Sequence, residues 1–140
     1  MTQAVAQESI ENERLPMPRY VNMTKVQYSF KNGTHSLSVK GHSGYAECGR
    51  DIVCAGVSTL TQALAATLSA NRESLLSLDI ESDESTASIT IAAAPITGCE
   101  SYVSALFSMT LHGMDLLSSV YPENVNLNVN LKTIEFAAGK

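Results

Sequence analysis

The chain is poor in charge, poor in cysteine and lacks any stretch that reads as an export signal, and each scarcity excludes a class of protein. Only 16% of its 140 residues are charged, and 9 basic side chains face 14 acidic ones, for a net charge of −5. That balance gives no general attraction to phosphate, so direct nucleic-acid binding is not expected; it permits attraction of a basic peptide but is equally common in ordinary soluble proteins. The cysteines, Cys48, Cys54 and Cys99, are odd in number and contain no C-x-x-C pair. They read as reduced thiols of a cytoplasmic protein rather than as a disulfide framework, and with His42 they lack the paired spacing of a zinc site. No metal and no cofactor are expected.

Residues 1–22 carry Glu8, Glu11, Glu13, Pro16 and Pro18 and have neither the basic start nor the apolar middle of a signal peptide. They read as a flexible N-terminal arm with little to bury. The longest apolar run, from Ile52 towards Ala70, is interrupted by Ser58, Thr59, Thr61, Gln62, Thr67 and Ser69 and starts beside Arg50 and Asp51. It therefore reads as a buried helix, with no membrane partner. No internal repeat or low-complexity tract occurs.

What is present suffices for one domain: 44% of the residues are hydrophobic, enough for a single core at this length. Val26, Tyr28 and Phe30 alternate with polar residues, Asn32-Gly33 supplies a turn, and Leu37 and Val39 alternate with Ser36, Ser38 and Lys40, which is a hairpin. His35, beside the turn, reads as a solvated strand residue. A helix follows from Asp51 to about Ala70, rich in alanine and glycine that permit close approach of a neighbour. Leu76, Leu78 and Ile80, then Ala87, Ile89, Ile91 and Ala93, alternate as a second hairpin around the polar turn 82–85. Pro95 and Gly98 precede a second helix from about Cys99 to Val120, with an apolar stripe through Val103, Leu106, Met109, Gly113, Leu116 and Val120. Pro122 ends it, and Val125, Leu127, Val129 and Leu131 form a last half-buried strand. The order ββαββαβ predicts an α+β domain over residues 23–132, an antiparallel or mixed sheet packed against two helices, followed by a tail at 133–140.

Chemistry concentrates at the junction between the second strand and the first helix, GHSGYAECGRDIVCAGVS from Gly41 to Ser58. Alternation puts His42 at the end of the strand on its polar face. Asp51 is a good N-cap, which places Cys54 in the first helical turn, where unpaired N–H groups and the helix dipole favour the thiolate. His42 could then act as general base towards Cys54 and as general acid towards a leaving amine, with N–H groups near the helix start holding the oxyanion. Asp51 has two candidate roles, capping the helix or orienting His42. Ser58 and Thr61 follow Cys54 on the same flank, Ser58 as a supporting residue and Thr61 as one that satisfies a carbonyl of the preceding turn. Gly41, Gly44 and Gly49 permit special backbone states, and Tyr45 offers a ring to pack on a peptide. Cys99 has no histidine in its local sequence and reads as a structural thiol.

Gly41-His42, Tyr45-Ala46-Glu47 and Asp51-Ile52-Val53-Cys54-Ala55 together resemble the motif of the bacterial ribosomal-processing cysteine proteases. The likeness runs from about Lys25 to about Lys132, with Tyr121-Pro122-Glu123 before the last strand, and departs from the family at Ser43 and Gly56, where alanine is expected, and at Cys48. The resemblance implies a cytoplasmic homodimer that removes a short N-terminal extension from the large-subunit ribosomal protein L twenty-seven, cutting after an aromatic residue and before a small one. It implies His42 and Cys54 as the catalytic pair and an extended N-terminal peptide as partner. Two other readings stay open: a phage-related protease acting on a scaffold or capsid protein, and a non-catalytic dimeric module that binds a ribosomal or phage protein through a groove at the same loop.

Overall fold

The structure, a computed structural model, describes residues 23–44, 46 and 50–129. Strands β1 (Thr24–Lys31) and β2 (Thr34–Lys40) are followed by helix α1 (Ile52–Ala70), strands β3 (Leu75–Asp83) and β4 (Ser88–Pro95), helix α2 (Glu100–Val120) and strand β5 (Val125–Asn128). The order is the expected ββαββαβ, with one 3₁₀ turn at Arg72–Ser74 between α1 and β3. The five strands form one sheet in the order β3-β4-β2-β1-β5, antiparallel except for the β1–β5 pair, which makes the sheet mixed. The expected last strand is observed as far as Asn128, and Leu131, the arm at 1–22 and the tail at 133–140 lie outside the described residues.

Local chemistry sets each element. Asn32 and Gly33 both have positive φ, 53° and 81°, the two-residue turn whose twist matches a hairpin, and it pairs Lys31 with Thr34. In β1, Thr24 and Val26 are buried while Lys25, Gln27 and Ser29 are exposed, so one sheet face is covered and the other is open. Both helices lie on the covered face. Val53, Val57, Leu64 and Leu68 of α1, with Val103, Phe107, Leu111 and Met114 of α2, close a single core over Val26, Leu37, Ile91, Ala93 and Val125. The helices approach closely at Gly56, where a Cβ would come within 3.2 Å of Leu117, and at Gly113, where it would come within 2.8 Å of Leu60. By length and composition α1 could cross a membrane. Here its apolar stripe is laid on the sheet instead.

Two expectations are corrected. His35 is not solvated: it is 1% exposed, its ring stacked on Phe107 at 4.8 Å with Tyr28 Oη 2.6 Å from its Nδ1. It shares the parity of Leu37 and Val39, so the pleat that buries them buries it too. Helix α2 is also rotated from the expected stripe: the buried residues are Val103, Ser104, Phe107, Thr110, Leu111 and Met114, while Met109, Leu116 and Val120 are 76%, 69% and 66% exposed. The helix is apolar on two faces, and the face bearing Phe107, which meets Tyr28 and His35, is the one that docks.

Candidate active site

Three distant points of the chain meet at one end of the sheet. The antiparallel register of β1 and β2 sets Lys25 opposite Lys40, which brings Gly41 beside Thr24; the parallel register of β1 and β5 sets Thr24 opposite Val125, which brings Asn124 there as well. Thr24 Oγ1 donates to the Gly41 carbonyl at 3.1 Å, and its N–H donates to the Asn124 carbonyl at 2.9 Å. Gly41 has φ +93° and would set a Cβ 2.9 Å from the Met23 carbonyl oxygen, so both its conformation and its surroundings demand glycine. Its N–H donates to Ala87 at 2.9 Å, tying the start of the loop to the β3–β4 turn. Gly44 likewise has positive φ, 74°. Tyr45 and Gly49 lie outside the described residues, as does Cys48.

At the other side of the loop, Asp51 is the N-cap of α1 with extended backbone, and its Oδ1 accepts the Cys54 N–H at 2.8 Å. Its carboxylate also receives the Ser43 hydroxyl, 2.8 Å from Oδ1 and 2.6 Å from Oδ2, and the Ala46 N–H at 3.3 Å. Burial pushes the Asp51 carboxyl up, but the hydrogen bonds from Ser43, Cys54 and Ala46 outweigh it and hold the group at about 2. Asp51 is thus a charged cap that also gathers the loop onto the helix. The Cys54 N–H is engaged by this cap, so that amide is not among the helix-start donors open to an oxyanion.

Cys54 is half-buried, and its Sγ accepts the Ser43 N–H at 3.2 Å. The sulfur therefore sits in the first turn of the helix between a backbone donor, the Ser43 N–H, and an acceptor, the Asp51 carboxylate, which the thiol also hydrogen-bonds. His42 is exposed, and it and Cys54 both line a groove of about 460 Å³. Thr24, Val39 and Val57 line it together with Ser58, Thr61 and Gln62 of α1 and residues of the β3–β4 turn, including Asp83 and Glu84. Ser58 accepts from Gln62 Nε2 at 2.8 Å, and Thr61 returns its hydroxyl to the Val57 carbonyl at 2.7 Å. Cys99, the residue before α2, is outside this groove. Among the described residues, two participants were given no role by the sequence: Ser43, bonded to both Cys54 and Asp51, and Asn124, whose Nδ2 donates to the Ser43 carbonyl at 2.9 Å across 81 positions. Nothing local to Asn124 announces that contact.

An α+β domain whose first helix starts with a thiol that lines the same open groove as an imidazole has the parts of a thiol hydrolase. The family model for cysteine protease Prp matches residues 23–126, and the chain belongs to that family of cysteine proteases. Among solved structures it is similar to the essential ribosomal processing protease Prp from S. aureus in complex with a covalently linked product peptide, at 24% identity and a TM-score of 0.66, over 77% of this chain and 100% of that one. The same S. aureus protease in complex with a substrate peptide matches at 21% identity and a TM-score of 0.59, over 77% and 100% of the two chains. SMU.848 from Streptococcus mutans matches at 28% identity and a TM-score of 0.61, over 76% of this chain and 93% of that one. No curated protein sequence matches.

Proposed function

We propose that the chain is a ribosomal-processing endopeptidase in which Cys54 is the nucleophile and His42 the general base and acid. The observation that carries this is the shared groove: the thiol, with a backbone N–H donated to its sulfur, and the imidazole line the same open channel. Cys54 Sγ attacks the scissile carbonyl carbon while its proton passes to His42. The C–N bond then breaks, the amine leaves with the proton from His42, and water hydrolyses the thioester to free Cys54. The similar S. aureus enzyme, a ribosomal processing protease crystallised with a covalently linked product peptide, agrees with a covalent route.

The substrate we infer is the N-terminal extension of ribosomal protein L twenty-seven, cut after an aromatic residue and before a small one. Family membership supports the ribosomal target. The acidic lining at Asp83 and Glu84 and the net charge of −5 suit a basic protein. The apolar lining at Val39 and Val57 suits alternate apolar side chains of an extended peptide. The reduced thiols fit a cytoplasmic setting. A homodimer is supported by Tyr102, Met109 and Leu116, exposed apolar residues at seven-residue spacing on α2, with Val120 beside them. Sedimentation should give a dimer for the wild type and a monomer for Leu116→Lys.

The substrate test compares the native extension, the same peptide with a charged residue in place of the aromatic one, and a scrambled peptide. Strong preference for the first is expected, because the charged side chain would have to be desolvated without a partner. Equal cleavage of all three means a nonspecific peptidase. Cleavage of none by the folded chain moves the target to a phage scaffold or capsid protein, or the function to a binding module.

A further inference from the structure

Ser43 is fully buried directly after His42, and its backbone N–H, hydroxyl and carbonyl are each engaged by a different residue. Its N–H goes to Cys54 Sγ, its hydroxyl to the Asp51 carboxylate, and its carbonyl takes Nδ2–H of Asn124 from the turn before β5. The first two bonds tie the loop to α1. The third ties it to the sheet, because Asn124 is itself fixed through its backbone, its carbonyl accepting from Thr24 and its N–H donating to the Tyr121 carbonyl at 2.9 Å. This third bond anchors the peptide that follows His42 from the side of the sheet, where the first two reach the helix.

We propose that Asn124 is a positioning residue of the peptidase site: by clamping the Ser43 carbonyl, it sets the backbone after His42 so that the Ser43 N–H points at Cys54 Sγ and the imidazole stays in the groove. The inference rests on the His42–Cys54 reading of the site. The clamp acts on two groups at once. The donor on sulfur orients the attacking atom, and a fixed backbone holds the imidazole in the groove that the thiol also lines. Only the side chain of Asn124 is needed, so its removal leaves the β1–β5 ladder and the turn in place. Asn124→Asp has the same shape but presents an oxygen to the Ser43 carbonyl where a donor stood, and it repels.

The experiment uses the full chain with Cys48→Ser and Cys99→Ser, so that Cys54 is the sole thiol, and compares Asn124 with Asn124→Ala and Asn124→Asp. Two quantities are read: the second-order rate of Cys54 alkylation by iodoacetamide at neutral pH, and kcat and KM on the ribosomal extension peptide. Loss of one hydrogen bond to a charged sulfur should slow alkylation and lower kcat by about tenfold, with KM within about twofold and Asn124→Asp the slower of the two. Circular dichroism melting checks that both variants fold, and because Asn124→Asp is isosteric it stands as the second variant should Asn124→Ala be poorly folded. Folded variants that alkylate at the unmodified rate overturn the proposal whatever their kcat, and so does a loss confined to KM. Slower alkylation in the variants of a chain that cleaves no peptide leaves the clamp standing and removes the peptidase reading instead.

Discussion

Acid should unfold this protein early, and His35 is the reason. Its ring is buried between Phe107, stacked at 4.8 Å, and Phe30 at 4.6 Å, and Tyr28 Oη lies 2.6 Å from Nδ1. Burial pushes His35 from 6.5 down to about 4, and pushes Tyr28 up to about 12, so the phenol remains the donor and neutral Nδ1 the acceptor. Protonating Nδ1 sets two donors against each other in an apolar setting. The folded value lies below the unfolded one, so the stabilisation is fully present above about pH 6.5 and is lost as pH falls towards 4. The difference corresponds to about 3 kcal/mol in all, of which roughly 2.5 kcal/mol is gone by pH 4.5. With a urea slope of about 1–3 kcal/mol/M for a chain of this size, the unfolding midpoint should drop by about 1–2.5 M between pH 7 and 4.5. His35→Leu starts from a lower midpoint because the Tyr28 hydroxyl loses its partner, but its midpoint should stay nearly level over that range. Asp51, held at about 2, stays charged throughout and does not blur the comparison. Parallel decline of the two proteins would refute the reasoning.

Two further outcomes bear on the site. Gly41→Ala combines a φ of +93° with a 2.9 Å approach to the Met23 carbonyl, so it should cost about 1–3 kcal/mol in chemical denaturation and lower kcat/KM by displacing His42; an active, fully stable variant would contradict this. Asp51→Ala removes the helix cap and the anchor of the Ser43 hydroxyl, so it should cost about 1 kcal/mol or more. The contribution of Asp51 to stability, present above its unfolded value of 3.8, should fade as pH falls towards 2, and Asp51→Ala should lack that acid limb of the stability profile.

Much of this architecture is legible in the sequence because local rules agree with the global fold. The Asn32-Gly33 turn, the alternation of β1 and β2 and the Asp51 cap each specify their element unaided, and Cys54 falls in the first turn as the cap dictates. Where the reading fails, two local patterns compete. Helix α2 offers an apolar row through Met109 and Leu116 as well as one through Phe107 and Met114, and periodicity alone does not choose which faces the sheet. His35 is legible in hindsight, since period two groups it with Leu37 and Val39, but a polar residue beside a turn invites the solvated reading. β3 shows a third limit: its apolar residues alternate as expected, yet Leu76 is 74% exposed, because the strand is a sheet edge with a register shift between Leu75 and Ser77. Asn124 marks the boundary of what a linear reading reaches, for its role exists only once a parallel strand pair carries it to the end of β2.

The most direct test of the central claim is intact-mass spectrometry of the chain mixed with the extended ribosomal peptide and quenched in acid at short times, for the wild type, Cys54→Ala and His42→Ala. In the wild type, released fragments are expected together with a transient adduct heavier by the N-terminal fragment less one water, mapped to Cys54. Cys54→Ala should give neither fragments nor adduct, and His42→Ala should lose at least about a hundredfold in rate. Cleavage by folded Cys54→Ala at the wild-type rate, or an adduct mapped to Cys48 or Cys99, would contradict it.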